Sequence, residues 1–252
     1  MSEPTTHRWI ASDGVELVFH EMGQGRPVVL LHGLFSSAQV NWIKFGHAAK
    51  LAALGRRVIM PDLRAHGLSD APQDAAHYPD GILGRDLVEL VAHLGLTDYD
   101  LGGFSLGART TVQGVGEGLR PARAIIAGMG LEGLTGWQAR KQFFVAAIAN
   151  FDTSSRGDPH WLAIQFMKTM KVDRVAAALL LPTFTDAHPS WLAAFTMPTL
   201  VLCGTEDSDN GSAQGLVAAL PDATLAEVPG THMSSVTRPE FGEALAAFLA
   251  PA

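Results

Sequence analysis

Cysteine is almost absent: Cys203 is the single one among 252 residues. An intramolecular disulfide is excluded, so nothing here points to an oxidising compartment. Basic residues are few, with 18 Lys and Arg against 25 Asp and Glu for a net charge of -7. No basic run occurs, and a nucleic-acid partner is not expected, because phosphate contacts need clustered Lys and Arg. Long apolar runs are missing too, and no stretch approaches the length that spans a bilayer. Residues 1–12 contain Glu3, Pro4 and two threonines and lack the charged-then-apolar layout of a signal peptide. A cytoplasmic protein without a membrane partner is the expectation. The sequon Asn210-Gly211-Ser212 therefore reads as a turn. No metal-ligand cluster is visible, and neither a metal nor an organic cofactor is expected.

What the chain does have is rhythm. Short runs rich in Val, Ile and Leu recur at Arg26–Leu31, Arg57–Met60, Tyr99–Leu101, Ala122–Ala127, Thr199–Cys203 and Thr224–Val228. Most lack polar alternation, as strands buried on both faces of a parallel sheet do. Helical patterns fall between them, most clearly at Ala38–Leu54, Ile82–Leu94, Ser105–Gly118, Gly215–Leu220 and Pro239–Leu249. The alternation predicts an α/β fold, a mostly parallel sheet with helices on both faces. At the start, His7–Ser12 and Val15–Glu21 flank Asp13-Gly14, which predicts an antiparallel hairpin at the N-terminal edge.

The rhythm breaks between Met129 and Phe195. This stretch has no clear strand. Trp137, Phe144, Ile148 and Phe151 share one helical face, and Val172, Val175, Ala176 and Leu179 another. The expectation is a helical lid over 129–195, inserted into a core of 1–128 and 196–252. Ordinary helices packed on the core are the plainer alternative.

Gly103-Phe104-Ser105-Leu106-Gly107 matches G-x-S-x-G, directly after an apolar run and opening a helical stretch. That strand-turn-helix setting is what a serine nucleophile needs, because the glycines free a tight turn and the helix N-terminus offers N–H groups to a developing negative charge. Of ten histidines, His232 stands out, lying in the loop after the last expected strand, where parallel sheets carry their chemistry. An acid is expected between Ser and His in chain order. Asp207, in Gly204-Thr205-Glu206-Asp207 after the Thr199–Cys203 strand, is the first candidate. Asp209, Glu206 and the more distant Glu132 are its rivals.

With these pieces placed, the chain resembles the α/β-hydrolase family along nearly its whole length. The resemblance rests on His32-Gly33, the block Asp62-Leu63-Arg64-Ala65-His66-Gly67-Leu68-Ser69, the Ser105 elbow, Gly204 to Asp207, and Gly230-Thr231-His232. The Asp62 block looks like the family's D-x-R-G-x-G-x-S turn, with Ala65 where Gly is usual, and reads as structural. Ala108 stands where many members have another Gly, which hints at different packing under the elbow. The resemblance implies the α/β-hydrolase fold with a helical lid and two-step acyl transfer through Ser105, His232 and Asp207. Backbone N–H groups of Leu34, with Phe35 as second choice, and of Leu106 would form the oxyanion hole. His32 is expected to satisfy loop backbone. Ser rather than Asp at 105 disfavours haloalkane dehalogenases and epoxide hydrolases. The chain is similar to small carboxylesterases, lactonases, carbon–carbon hydrolases and cofactor-free haloperoxidases.

Two other classes compete. Gly128-Met129-Gly130-Leu131-Glu132-Gly133 fits a dinucleotide fingerprint, with Asp152 further on. That fingerprint belongs in the first βα turn, and here four strands precede it. A non-catalytic receptor of the same fold is the other. As for substrate, the 129–195 stretch is rich in aromatic residues and methionine. Phe35, Trp137, Phe144 and Met233 are expected to line a pocket that takes small-molecule esters. Its charges are mixed: Arg140, Lys141, Arg156, Lys168, Lys171 and Arg174 against Glu132, Asp152, Asp158, Asp173 and Asp186. No surplus marks a carboxylate clamp, so short, neutral esters are expected.

Overall fold

The computed structural model describes residues 3–250. Eight strands form one sheet: β1 (Thr5–Ile10), β2 (Glu16–Met22), β3 (Arg26–Leu31), β4 (Arg56–Asp62), β5 (Asp100–Phe104), β6 (Arg123–Ala127), β7 (Thr199–Gly204) and β8 (Ala223–Val228). Their order is β1-β2-β4-β3-β5-β6-β7-β8. The β1–β2 and β2–β4 pairs are antiparallel and the rest parallel. The hairpin forms at Asp13-Gly14, where Gly14 takes φ +86° and the Ala11 N–H donates to the Val15 carbonyl at 2.9 Å.

Most of the apolar runs are strands with both faces covered, while β8, at the sheet edge, leaves Thr224 and Glu227 exposed. Successive side chains of a strand point to opposite faces. Val28, Leu30, Val58, Met60, Leu200 and Leu202 face one core, while Val29, Leu31, Ile59, Leu101, Val201 and Cys203 face the other. The first core is closed by helices α1 (His47–Ala53) and, near the C-terminus, Pro239–Leu249, through Leu51, Phe241 and Leu245. The second is closed by α2 (Ile82–His93) and α3 (Leu106–Gly116), through Leu87, Leu90, Val112 and Val115. Ala108, fully buried, packs into this second core beneath the elbow.

Between β6 and β7 lie α4 (Leu131–Thr135), α5 (Trp137–Ala149), α6 (Trp161–Thr169), α7 (Arg174–Leu180) and α8 (Pro189–Ala193). Leu134, Trp137, Leu180, Phe184 and Leu192 from this stretch join the second sheet core. After β7 come α9 (Ala213–Ala219), α10 (His232–Ser235) and α11 (Pro239–Leu249). No helix among the described residues is long and apolar enough to cross a membrane.

Two expected elements differ. The pattern over Ala38–Leu54 is one helix in sequence but two in space, a π-helical turn at Gln39–Ile43 and then α1, separated by Gly46 at φ +78°. A left-handed glycine breaks the backbone without interrupting the apolar spacing. On α7, the buried face is Ala176, Ala177 and Leu180, whereas Val175 is exposed and Val172 precedes the helix. Asp173 caps α7 through the N–H groups of Val175 and Ala176, and this sets a rotation that periodicity alone misses.

Candidate active site

The chain reverses from β5 to α3 within one residue, Ser105, at φ +55° and ψ −111°. A non-glycine residue held there is strained and needs enforcing surroundings. The flanking glycines are obligatory. A Cβ on Gly103 would lie 2.3 Å from the Gly107 carbonyl carbon, and one on Gly107 would lie 2.2 Å from the Leu31 carbonyl oxygen. The Ser105 N–H donates to the Ala127 carbonyl at 2.8 Å, which anchors the turn to β6.

His232 opens α10 just beyond β8. Its Nε2 stands 3.0 Å from Ser105 Oγ and its Nδ1 stands 2.9 Å from Asp207 Oδ2. A proton on Nδ1 donated to the carboxylate leaves Nε2 as acceptor for the serine hydroxyl. The Phe104 ring stacks on the imidazole at 4.9 Å. Asp207 is held in place by its own N–H, which donates to the Gly204 carbonyl at 3.0 Å, and by the Asp209 N–H, which donates to Oδ1 at 3.2 Å. Among the four candidate acids, only Asp207 reaches His232. Glu206 and Asp209 are exposed, and Glu132 accepts from the Ser212 N–H at 2.7 Å.

Leu34 and Leu106 both border the cavity above Ser105. Their N–H groups make no hydrogen bond to another described residue. The loop carrying Leu34 is tied down on three sides. Gly33 N–H donates to Asn41 Oδ1 at 3.0 Å, His32 Nδ1 donates to the Gly33 carbonyl at 2.8 Å, and Leu63 N–H donates to His32 Nε2 at 3.0 Å. His32 thus satisfies loop backbone. Burial pushes its pKa below the usual histidine value, in keeping with a neutral ring that both donates and accepts.

The cavity at Ser105 has a volume of about 30 Å³. Trp137 and Phe144 line it, their rings stacked at 5.9 Å. The other two residues expected there lie elsewhere. Met233 is 54% exposed on α10. Phe35 is buried behind Phe144, edge-on at 5.9 Å, and borders a separate cavity with His66 and Lys171. Arg109, Met129, Arg140, Phe184 and Asn210 also line the Ser105 cavity. Sequence reasoning did not single them out as pocket residues, and Arg109 and Arg140 bring positive charge to a cavity where the segment's charge count showed no surplus. A charge count over the whole 129–195 segment averages away which side chains point inward. The missed signal was spacing: Arg140 lies three residues after Trp137 and four before Phe144, on one helical face.

The Gly128–Gly133 motif has a different use. A Cβ on Gly130 would lie 2.4 Å from the Gly211 carbonyl carbon, and one on Gly133 would lie 2.7 Å from Asn210 Cβ. These glycines admit the 210–211 loop, and the Gly130 and Gly133 N–H groups both donate to the Asn210 carbonyl, at 3.2 and 2.8 Å.

Residues 28–245 match the alpha/beta hydrolase family. Epoxide hydrolase 2 of Siraitia grosvenorii is 33% identical over 107 residues, covering 42% of this chain and 33% of that protein. A non-heme haloperoxidase of Rhodococcus erythropolis is 36% identical over 124 residues, covering 47% of this chain and 42% of that one. The matches thus span well under half the length of these curated relatives. Among solved structures, an esterase from Rhodococcus sp. ECU1013 superposes with a TM-score of 0.72 at 26% identity, covering 96% of this chain and 98% of the other.

Proposed function

The chain belongs to the alpha/beta hydrolase family, and we propose that within it this protein is a serine hydrolase of small carboxylic esters. One observation carries the reading: a single imidazole bridges a hydroxyl on a strained elbow and a carboxylate, at 3.0 and 2.9 Å. In this reading His232 takes the Ser105 proton as Oγ attacks the ester carbonyl. The new oxyanion is held by the Leu34 and Leu106 N–H groups, which have no other described partner. Asp207 keeps the ring oriented and stabilises the imidazolium. His232 then protonates the leaving alkoxide, and water, activated the same way, releases the acid from the acyl-enzyme. The proposed roles thus fall to Ser105, His232, Asp207 and the two backbone N–H groups, with a small-molecule ester as the substrate.

The nucleophile argues against epoxide opening, because position 105 holds Ser and the resemblance associates that reaction with Asp. A lactone is an ester closed on itself and would open by the same steps. Short acyl chains are expected over long ones, because Trp137, Phe144 and Phe184 wall the space beside Ser105.

A fluorophosphonate should label Ser105, and Ser105→Ala should lower hydrolysis of p-nitrophenyl acetate by about 10⁴-fold or more with the circular dichroism spectrum unchanged. The rate should fall from acetate to octanoate esters. Label on another residue, or an active Ser105→Ala enzyme, would overturn the assignment.

A further inference from the structure

Two guanidinium groups border the cavity that holds Ser105, in a chain of net charge -7. They are not equivalent. Arg109 is buried and committed to the fold: it donates to the Thr185 carbonyl at 2.6 Å and to the Gly133 carbonyl, and lies 5.5 Å from the Trp137 ring. Burial lowers its pKa to about 10, so it stays charged at neutral pH. It ties α3 to the ends of the α4–α8 segment.

Arg140 has no such commitment. Its guanidinium forms no ion pair and no hydrogen bond with any described residue, and it lies 6.0 Å from the centre of the Phe144 ring. Burial also lowers its pKa, with Asp209 and Asp207 near enough to offset part of the effect. Neither acid forms an ion pair with it. Asp207 is bonded to His232, and Asp209 is exposed, so water screens its charge. A partly buried cation without a partner is unfavourable. Arg140 also shares its helical face with Trp137 and Phe144, two walls of the cavity. The arrangement is one free guanidinium fork, two aromatic walls and a nucleophile around one small space. A guanidinium fork of this kind matches a carboxylate, and the aromatic walls suit a short methylene spacer.

We propose that the substrate carries a carboxylate, and that Arg140 receives it while the ester carbonyl lies at Ser105. The substrate class is a short half-ester of a dicarboxylic acid, or a lactone bearing an acid side chain. Arg109 adds to the positive field of the cavity without contacting the substrate. The inference rests on Ser105 as nucleophile, deepening that reading.

The test uses a pair of esters differing in one charge: mono-p-nitrophenyl glutarate and its methyl ester. The wild-type enzyme should favour the free acid in kcat/KM. In Arg140→Gln the acid-to-methyl-ester ratio should drop about 10- to 100-fold, chiefly through KM for the acid, and Arg140→Lys should recover part of it. A wild-type preference for the methyl ester, or a ratio unmoved by Arg140→Gln, overturns the proposal. Calorimetry with glutarate judges Arg140 independently of turnover. Glutarate should bind Ser105→Ala, and at least tenfold more weakly the double variant that also carries Arg140→Gln; equal binding to both overturns it. If the wild-type enzyme hydrolyses neither ester while glutarate still binds through Arg140, the hydrolase reading fails and the anion site stands.

Discussion

The Asp207 carboxylate accepts from His232 Nδ1 at 2.9 Å, and only 2% of its side chain meets solvent. A shielded carboxylate interacts with an imidazolium far more strongly than an exposed one, because little water screens the pair. The same shielding fixes the tautomer: a carboxylate at Nδ1 accepts only, so the proton sits there and Nε2 faces Ser105 Oγ at 3.0 Å.

Asp207→Asn should therefore keep the fold and lose activity. The amide can present its NH₂ to Nδ1 and favour the wrong tautomer, with an expected loss of about 10³ to 10⁴ in kcat. Asp209→Asn, two residues on and exposed, should change hydrolysis of a neutral ester by less than about tenfold. Steady-state kinetics on both variants decides the matter. A severe loss in Asp209→Asn with an active Asp207→Asn would put the wrong carboxylate in the site.

Much of this site could be read from the chain because local rules and the global fold agree there. Ser105 needs glycines on both sides, and two Cβ clashes below 2.5 Å explain why they are present. Asp207 follows β7, whose unbroken burial matches an apolar run covered on both faces, and His232 follows β8, the last strand of the sheet. The carboxylate was narrowed to four candidates by position and to one only by distance, since an acidic turn carries no mark of which side chain turns inward. The pocket was least legible. Phe35 and Phe144 are both aromatic and close in space, yet only Phe144 borders the Ser105 cavity. Arg140 reads as solvated charge in a count and as a cavity wall in the fold. Long-range packing decides both cases, and for Arg140 the only local trace is its helical spacing to Trp137 and Phe144.

Within the Asp62 block, Ala65 and Gly67 both take left-handed backbone, at φ +63° and +57°, yet they should respond differently to a methyl group. Ala65 already carries one and packs into the second core. A Cβ on Gly67 would lie 2.2 Å from the Asp62 carboxyl carbon. That carboxylate accepts from the N–H groups of Ala38 at 2.8 Å and Leu68 at 2.9 Å and contacts His20 Nε2 at 3.2 Å. Gly67→Ala must displace a nearly fully buried, multiply bonded acid as well as strain the backbone. The expected cost is on the order of 3 kcal/mol or more, measured by urea unfolding. A loss under about 1 kcal/mol would mean that the block yields more easily than its hydrogen bonds suggest.

Stability should fall on mild acidification. Three buried histidines drive this. Burial depresses His66 to about 3, and it lowers His32 and His47 as well. His66 Nδ1 donates to the Arg64 carbonyl at 2.8 Å, while its Nε2 has no protein acceptor to receive a proton. His32 Nε2 accepts from the Leu63 N–H at 3.0 Å, a bond that protonation would abolish. In the unfolded chain each histidine titrates near its ordinary value of 6.5. Because the folded-state pKa is the lower one, the unfolded state binds more protons below that value. The stabilisation is thus complete above pH 6.5 and is lost as pH falls toward the folded pKa. The limiting slope is about 1.4 kcal/mol per pH unit for each histidine. Asp13 acts in a lower window. Burial opposes its charge, but the hydrogen bonds and charge of Arg64 outweigh that and hold it at about 2, so its contribution disappears only as pH falls from 3.8 through 2. Urea unfolding between pH 7 and 5 should therefore report the histidines. The unfolding free energy should decline across that range, and His66→Gln, which carries no titrating ring, should show a slope shallower by about one proton. A free energy flat from pH 7 to 5 in the parent protein would mean that these rings accept protons in the folded state as readily as in the unfolded one.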